Sequence, residues 1–452
     1  MSSFPPDFIN SLKHIPGFNE EEFVKAHQTQ TPTSIRINPF KKTALKFELG
    51  ANVPWANDAF YLKERPVFTS DPLFHAGCYY VQEASSMFVE YLLKQVVNFE
   101  KEIFALDLCA APGGKSTILS SLLNKKSALV CNEVIKNRAD VLAYNLAKWG
   151  NCNHIITNSE TSSFSKLKGV FDIVLVDAPC SGSGLFRKQE DAVNEWSLDA
   201  VANCSIRQKS ILSDVLPALR TNGHLVYSTC SYSSSENEEM VKWLIAEHGL
   251  EVVNVDIDPK WGFEDTGFGF RAYPNKVLGE GFFSCVLKIP NGSGSFNLSK
   301  KNTFKEASKA ENIIIENFVE LDQDHKVINH NNEFKLLNNN CLSFINSFKN
   351  ELYFKSVGTP IGEIKHDELV PHHFLALSNN LKTSIDSIEL SDLESIKYLK
   401  KESFQLANGS KGLKRFTNLG FGLGWGKNLG TRFNNYLPSN FQIFNKHLGT
   451  LK

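Results

Sequence analysis

Two cysteine loops contain the residue types most suited to chemistry. The apolar run Ile173–Val176 leads into Asp177-Ala178-Pro179-Cys180-Ser181-Gly182, and the run Leu225–Tyr227 leads into Ser228-Thr229-Cys230-Ser231. Short apolar runs of this kind are typical of strands in a parallel sheet covered on both faces. Ligands bind at the carboxyl ends of such strands, so both thiols and Asp177 should face one cleft. A single cysteine is more often an inert core residue, but this pairing favours a chemical role.

A thiol at such a place can serve as a nucleophile. A thiolate that adds to C6 of a cytosine makes an enamine-like ring whose C5 can attack an electrophilic methyl group. The route needs an activated thiol, an acid near N3 and a base for the C5 proton. An ordinary thiol, with a pKa of about 8.5, needs a helix N-terminus or a cation nearby to ionise usefully. The residues alone leave open which of Cys180 and Cys230 attacks.

A loop of small residues follows the run Ile103–Leu108. It consists of Cys109, Ala110, Ala111, Pro112, Gly113, Gly114 and Lys115. Small residues let the backbone approach a ligand, and the helix predicted next offers free N–H groups. The loop is not a phosphate-binding P-loop, because the first glycine of that motif would fall on Cys109. A plain strand–helix turn is the alternative interpretation.

A carboxylate follows the next predicted strand, about twenty residues further on. The run Ala128–Cys131 ends in Asn132-Glu133. An acidic side chain at that point can accept hydrogen bonds from the ribose hydroxyls of an adenosine-containing cofactor. The loop and Glu133 together therefore favour a nucleoside cofactor, and an exposed helix-capping Glu is the alternative.

The elements that position these residues alternate between strand and helix. A helix is predicted over Ile135–Trp149, and Ser235-Glu236-Asn237-Glu238 is a capping-box sequence that opens a helix through about Ala246. Repeated β–α units predict a doubly wound α/β sheet. We divide the chain into an N-terminal α+β extension (1–95), a catalytic domain (96–290), a linker (291–310) and a C-terminal region (311–452) in which LYFKSVG and PIGEIK read as strands.

The end of the chain differs in charge from the rest. The whole sequence of 452 residues has a net charge of −1, which gives no global nucleic-acid signal, but from Ser403 to Lys452 there are seven Lys or Arg and no Asp or Glu. Aromatic side chains are interleaved with them, at Phe404, Phe416, Phe421, Trp425, Phe433, Tyr436, Phe441 and Phe444. Such a tail suits a polyanion with stackable bases. Equally, the aromatics can form the core of a small β-domain, and the two interpretations are compatible.

Cysteine usage and hydropathy limit the class of protein further. The nine cysteines are scattered, odd in number and without a CxxC pair, which argues against a disulfide framework and a zinc site. No apolar run is long enough for a transmembrane helix, and the N-terminus lacks the pattern of a secretory signal. We expect a cytoplasmic, monomeric protein without a metal or a membrane partner, in which the seven cysteines other than Cys180 and Cys230 are inert.

Three long motifs carry a family resemblance. LDLCAAPGGKS, VDAPCSGSG and YSTCSYSSSENE together resemble the Sun-type RNA cytosine-C5 methyltransferases, over roughly residues 30–290 and including SIRINPF and HAGCYYVQEASS. FRKQEDAVNEWS and the C-terminal GFGLGWGKNLGTRFNNYLP resemble the bacterial RsmF-type branch, which acts on small-subunit ribosomal RNA. The resemblance implies a Rossmann-like class I methyltransferase domain, an N-terminal RNA-binding extension and a PUA-like, β-rich RNA-binding end. It implies S-adenosyl-L-methionine as cofactor and RNA as partner.

The same resemblance implies roles for single residues. Cys109 to Lys115 would cradle S-adenosylmethionine, Glu133 would bind its ribose, and Arg138 would lie near the same site. Asp177 would contact the cofactor and the target base. By the resemblance, Cys230 is the nucleophile and Cys180 assists release of the enzyme–RNA adduct.

Two positions depart from the family pattern. The family usually has an Asp that contacts the adenine, and Asn158-Ser159-Glu160 stands in that stretch, so Glu160 is the expected substitute. Asn275 follows Tyr273-Pro274, where the family often has His. Neither change touches the thiols, so activity is expected.

The leading hypothesis is therefore methylation of C5 of a cytosine in ribosomal RNA, with transfer RNA as the second substrate. The alternative from another class is an RNA-binding ribosome-assembly protein for which methyl transfer is incidental, and the basic aromatic tail motivates it. An amino-group methyltransferase fits poorly, because Asp177-Ala178-Pro179-Cys180 occupies the place of its Asn/Asp-Pro-Pro-aromatic loop.

Overall fold

The computed structural model describes residues 4–299, 301–330, 332–405, 410–430 and 432–444. Among these, no helix is both long and apolar enough to cross a membrane. Three regions follow one another along the chain, and a sheet lies in each.

The N-terminal region contains a four-stranded antiparallel sheet with the order β2-β3-β1-β4. Its elements are α1 (Phe8–Leu12), α2 (Glu20–His27), β1 (Ser34–Ile37), β2 (Leu49–Asn52), β3 (Ala59–Leu62), α3 (Pro72–Ala76), β4 (Tyr79–Val81) and α4 (Phe88–Val96). Helix α2 begins after Asn19, whose side chain accepts a hydrogen bond from the Glu22 N–H, and acidic residues fill its first turn.

The catalytic region alternates strand and helix, as the sequence predicts. Its strands are β5 (Phe104–Asp107), β6 (Ala128–Asn132), β7 (His154–Thr157), β8 (Phe171–Asp177), β9 (Leu219–Thr229), β10 (Glu251–Val252), β11 (Glu264–Asp265), β12 (Phe270–Ala272) and β13 (Phe282–Lys288). Its helices are α5 (Gly114–Leu122), α6 (Lys136–Trp149), α7 (Glu190–Glu195), α8 (Leu198–Val215) and α9 (Glu238–His248).

Strands β7-β6-β5-β8-β9 are parallel, and β13 joins β9 antiparallel. Asp107 pairs in register with Cys131 and Leu175, and Asp177 pairs with Ser228. The carboxyl ends of the parallel strands therefore share one edge, which confirms the predicted doubly wound α/β fold. One apolar cluster packs α4, α5 and α6 on one face of the sheet, and a second packs α8 and α9 on the other.

The C-terminal region holds two further sheets. Its elements are β14 (Lys305–Glu306), α10 (Lys309–Ile315), β15 (His325–His330), β16 (Glu333–Asn338), α11 (Asn339–Phe348), β17 (Phe354–Val357), β18 (Thr359–Lys365), β19 (Glu368–Pro371), β20 (Ser387–Glu389), α12 (Asp392–Leu399), β21 (Gly412–Asn418), β22 (Phe421–Asn428) and β23 (Phe433–Asn435). The sheet orders are β14-β15-β16-β18-β19 and β20-β21-β22-β23.

Strand β17 does not join its sequence neighbours. It pairs antiparallel with β7 and extends the ten-stranded central sheet at that edge. The backbone N–H of Asn158 donates to the carbonyl of Tyr353 at 3.0 Å, just beyond the end of β7. Both LYFKSVG and PIGEIK are thus strands, but they lie in different sheets.

One buried lysine fastens the three regions together. Lys41 Nζ donates to the carbonyls of Ala76, Lys148 and Leu377 at 3.0, 2.6 and 2.7 Å. Ala76 ends α3 and Lys148 lies in the last turn of α6, so two of these carbonyls are groups that a helix leaves unpaired. Lys41 therefore satisfies acceptors from the N-terminal, catalytic and C-terminal regions at once.

The aromatic residues of the basic tail mostly form a core. Phe416 and Trp425 are buried, and Phe404 contacts Phe433 with ring centroids 4.7 Å apart. Lys414 is buried and pairs with Asp386. Among the described aromatics of the tail, Tyr436 and Phe444 are exposed and can meet a partner. Residues 445–452, the end of this tail, lie outside the described residues.

Candidate active site

The small-residue loop after β5 is fixed by hydrogen bonds from neighbouring side chains. Gly113 adopts φ 114°, in the left-handed region that glycine allows, and α5 begins at Gly114. The Arg138 guanidinium donates to the carbonyl of Ala111, and the Asn145 amide donates to the carbonyl of Pro112, both at 2.8 Å. Helix α6 therefore fixes the loop from one side, which gives Arg138 a contact that the sequence did not predict.

Asp107 is the last residue of β5, just before this loop, and one of its carboxylate oxygens has no hydrogen-bond partner among the described residues. Ser116 Oγ donates to its Oδ2 at 2.7 Å, whereas its buried Oδ1 has no hydrogen-bond partner among the described residues. Burial raises the pKa of the Asp107 carboxyl to about 7. A buried, unpaired carboxylate oxygen needs a donor, and an ammonium group of a ligand would supply one.

Two clefts meet at Cys109. The first, of about 190 Å3, is lined by Asp107, Lys115 and Asp177 and is closed by Tyr80 and Gln82 from the N-terminal region. The second, of about 300 Å3, lies on the other side of Cys109. The predicted cofactor residues line one or the other, or lie in the loop between them.

The second cleft is lined by Glu133, Arg138 and Glu160, with Arg207 from α8 facing them. Glu133 Oε1 accepts a hydrogen bond from the N–H of Ile135 at 2.9 Å, and its Oε2 lies 3.4 Å from Nη1 of Arg138. Arg207 belongs to no motif, and only its helix brings it here. A contact between Glu160 and adenine stays a prediction.

The two predicted reactive thiols are in contact. Cys180 Sγ lies 2.9 Å from Cys230 Sγ. The hydrogen bond to Cys230 and burial together raise the pKa of the Cys180 thiol well above its ordinary value. Cys180 therefore keeps its proton, and its thiol can donate a hydrogen bond to the Cys230 sulfur.

Asp177 connects the cofactor loop to the cysteine loops. Its Oδ2 lies 2.7 Å from the Lys115 ammonium, and its Oδ1 accepts a hydrogen bond from Ser228 Oγ at 2.7 Å. Ser228 lies two residues before Cys230, at the end of β9. One carboxylate thus lies between the cofactor clefts and the thiols.

The predicted capping box at Ser235 is wrong. Helix α9 begins at Glu238 after Asn237, and no side chain caps it. Glu238 instead pairs with the buried Arg271, and the Glu236 carboxylate turns back toward the cysteine loops. A tertiary partner, Arg271, thus binds the carboxylate of Glu238 that the local pattern assigned to the helix cap.

The remaining predicted positions are placed as follows. Cys78, Cys131, Cys152, Cys285 and Cys341 are buried, and burial raises the pKa of each thiol. Cys204, on α8, is partly exposed and lies near enough to the reactive pair for the charge of Cys230 to raise its pKa, after burial and Glu236. The inertness of these thiols stays a prediction. Asn275 contacts Glu22 of α2 at 3.2 Å.

The sheet order, the small-residue loop and the acidic residue after β6 define a class I S-adenosylmethionine-dependent methyltransferase. Models of known families match three parts of the chain: the 16S rRNA methyltransferase RsmB/F over residues 94–288, the N-terminal domain of 16S rRNA methyltransferase RsmF over 4–84, and the methyltransferase RsmF PUA domain over 386–443. The chain belongs to the ribosomal RNA small subunit methyltransferase F family.

Whole-length relatives support this assignment. The chain is 30% identical to the ribosomal RNA small subunit methyltransferase F of Shewanella woodyi, with 96% of this chain and 95% of the relative aligned. It is also 30% identical to the protein of that name from Shewanella oneidensis, with 97% of each aligned.

Solved structures share the catalytic fold. A methyltransferase homolog protein from Pyrococcus horikoshii is 26% identical, with a TM-score of 0.51 over 63% of this chain and 99% of the other. NSun6 from Pyrococcus horikoshii, solved with SFG, shares the fold at 20% identity, with a TM-score of 0.55 over 64% of this chain and 99% of that one.

Proposed function

We propose that this protein transfers a methyl group from S-adenosylmethionine to C5 of a cytosine in small-subunit ribosomal RNA. The observation that carries the proposal is the contact of Cys180 and Cys230 at 2.9 Å, beside an Asp177–Lys115 pair at the edge of the cofactor clefts. An amino-group methyltransferase has no use for such a pair of thiols. The relatives named above, whose names give ribosomal RNA as their substrate, support the choice of RNA.

The residues around the two clefts suit this cofactor. The unpaired Asp107 oxygen would receive its ammonium group, and Glu133 would receive its ribose hydroxyls. The small residues Cys109 to Gly114 would let the backbone lie against it, and Glu160 would lie at the adenine. The acidic groups Asp107, Glu133, Glu160 and Asp177 suit a cationic ligand. When bound, the cofactor supplies an electrophilic methyl group.

Cys230 is the nucleophile in this mechanism. Its sulfur forms a bond to C6 of the cytosine, and the electrons of the C5–C6 double bond become available to attack the methyl group from C5. As the bond from C5 to the methyl group forms, the bond from that methyl group to its sulfur would break, and the donor would leave as a neutral thioether. A base then takes the C5 proton, the C5–C6 double bond forms again, and Cys230 leaves as a thiolate. The raised pKa of Cys180 keeps its thiol protonated, so that thiol can donate a hydrogen bond to the departing sulfur and assist release.

Asp177 and Lys115 would bind the hydrogen-bonding edge of the cytosine, at its amino group and at N3. The carboxylate can accept a hydrogen bond from the exocyclic amino group, and the ammonium can supply the proton that N3 needs while C6 is under attack. Ser228 holds Asp177 from the other side. The base must leave its helix before a thiol can reach C6, so the RNA is read where it is unpaired.

The test uses the full-length protein, labelled cofactor and small-subunit ribosomal RNA, free or in the subunit. Cys230→Ala should lower methylation by at least about a thousandfold, because the covalent route is lost. Cys180→Ala should accumulate a covalent RNA adduct on a denaturing gel, and the double variant should form none. Cys204→Ala, which changes the third thiol in this area, is the matched control and should keep its activity.

Three results would contradict the proposal. Wild-type methylation by Cys230→Ala would exclude the assigned nucleophile, and absence of an adduct with Cys180→Ala would exclude the release role. Bisulfite mapping of RNA from a deletion strain decides the substrate, since loss of 5-methylcytosine from transfer RNA would replace the ribosomal assignment. An unchanged 5-methylcytosine content with a ribosome-assembly defect would favour an RNA-binding factor.

The described PUA-like end and the N-terminal region would bind the RNA around the target. We place the enzyme in the cytoplasm, where ribosomal RNA is, and expect it to act as a monomer. Light scattering with and without RNA tests the oligomeric state, and cell fractionation tests the location.

A further inference from the structure

A buried carboxylate lies beside the two cysteine loops without a cation. Glu236 follows Cys230 in the loop and is 0% exposed. No Lys or Arg within the described part of the chain forms an ion pair with it. Burying a charge without an opposite charge is costly, and a neutral side chain of similar size would avoid that cost. The hydrogen bonds that Glu236 accepts must therefore offset this cost.

The carboxylate binds both loops at the residue next to each cysteine. Its Oε1 accepts hydrogen bonds from the N–H of Ser181 at 2.8 Å and the amide of Gln208 at 3.2 Å. Its Oε2 accepts from the hydroxyl of Ser181 at 2.6 Å and from that of Ser231 at 2.5 Å. Ser181 follows Cys180 and Ser231 follows Cys230, so one side chain connects the two thiol-bearing loops.

Neighbouring side chains hold this carboxylate in place. Gln208 on α8 also donates to the carbonyl of Pro179 at 3.0 Å. The Tyr227 hydroxyl lies 2.6 Å from the carbonyl oxygen of Glu236 and 3.1 Å from the side-chain oxygen of Gln208. The network thus reaches the residue before Cys180 and the strand that leads to Cys230.

We propose that Glu236 is a positioning residue, which holds the two cysteine loops together so that Cys180 and Cys230 stay in contact during methyl transfer. The proposal rests on the proposed function for its consequence in catalysis. The sulfur spacing itself can be measured without RNA, so the two can fail separately.

The charge of Glu236 adds a second effect. Its negative charge acts on Cys180, Cys204 and Tyr227. It raises the pKa of the Cys180 thiol, after the larger effects of the hydrogen bond to Cys230, of burial and of the charge of Cys230. Arg207, a cation on α8, acts in the opposite direction on Cys204 and lowers the pKa of that thiol. The carboxylate therefore favours the protonated form of Cys180, the form that assists release.

Two variants separate the effects. Glu236→Ala removes the connection between the loops. Glu236→Gln removes the charge but keeps the shape, and because the hydroxyls of Ser181 and Ser231 can accept as well as donate, the amide can keep its hydrogen bonds. Glu239→Gln is the matched control, since Glu239 lies three residues further on, is exposed on α9 and pairs with Lys242.

The readout of spacing is formation of the Cys180–Cys230 disulfide in the full-length protein with a diazene oxidant. The two thiols lose two hydrogen atoms, the sulfurs bond, and the diazene is reduced to the hydrazine. Mass spectrometry of the linked peptides gives the rate at each pH. Cofactor affinity by calorimetry reports whether the fold is intact, and single-turnover methylation reports catalysis.

Glu236→Ala should slow both disulfide formation and methylation by about 100-fold, the size expected for a displacement of about 1 Å, with unchanged cofactor affinity. Glu236→Gln should form the disulfide at the wild-type maximal rate, with its pH profile moved about one unit lower. It should also accumulate the RNA adduct. Glu239→Gln should match the wild type in every measurement.

A wild-type disulfide rate in folded Glu236→Ala overturns the positioning role. If that variant does not fold, Ser231→Ala, which removes one of the bonds and buries no new polar group, takes its place, and an unchanged rate has the same meaning. An unchanged pH profile in Glu236→Gln excludes the effect of the charge. Absence of RNA methylation by the wild-type protein, with the disulfide results as expected, would refute the proposed function and leave Glu236 as the residue that sets the spacing.

Discussion

Gly184 provides a direct test of the sulfur contact, because it lies where the two cysteine loops touch. Its N–H donates to the carbonyl of Cys230 at 2.8 Å. A Cβ added there would lie 2.7 Å from that carbonyl oxygen and 2.3 Å from the carbonyl oxygen of Gly281. Both oxygens belong to the backbone, so neither can move away by rotation of a side chain.

The size of the displacement follows from these distances. Ordinary contacts of a Cβ begin at 3.4 Å, so the Cys230 carbonyl must retreat by about 0.7 Å in Gly184→Ala. Such overpacking costs about 1–3 kcal/mol of stability. A shift of that order at a reacting group lowers the rate by about 100-fold. We therefore expect Gly184→Ala to methylate RNA about 100-fold more slowly in a single turnover, with cofactor affinity unchanged.

Gly223→Ala is the matched control. Gly223 lies in β9, near the end opposite Cys230, and its added Cβ would lie 2.9 Å from the backbone oxygen of Arg220. The control should lose comparable stability in a thermal melt while it keeps the methylation rate. Equal rates for Gly184→Ala and wild type, or equal losses in the two variants, would refute the argument that loop spacing limits catalysis.

Two further predictions concern buried charges. Burial raises the pKa of Asp107 to about 7, and a cationic ligand prefers the ionised carboxylate. The affinity for the cofactor, measured by calorimetry, should therefore fall by up to about tenfold per pH unit below 7. Asp107→Asn should bind the cofactor weakly at every pH. Lys41→Met leaves three buried carbonyls unpaired and should cost about 3 kcal/mol in denaturant unfolding. Because burial lowers the pKa of Lys41 to about 7, below its value in the unfolded chain, the wild type should gain unfolding free energy from pH 7 towards 10, and the variant should not. A pH-independent affinity, or parallel stability profiles, would contradict these two predictions respectively.

The fold class was predictable because local patterns repeat. Short apolar runs followed by small residues and helices predict parallel strands, and the four runs found in this way are β5, β6, β8 and β9. The pairing of β17 with β7 was not predictable. The two strands lie about 200 residues apart, and the residue pattern of neither strand specifies the strand with which it pairs. The local pattern also misassigned Glu238, whose pairing with the buried Arg271 outweighs a helix cap of about 1 kcal/mol.

The sequence by itself determined which residues lie at one edge of the sheet. Cys109, Glu133, Asp177, Cys180 and Cys230 all lie within a few residues of the end of a parallel strand, and parallel strands place those ends together. Only the tertiary structure decided the distances between them. The contact of the two sulfurs depends on Gly184, on the Glu236 carboxylate and on Gln208 from another helix. These contacts join segments up to 55 residues apart, and no local spacing encodes them.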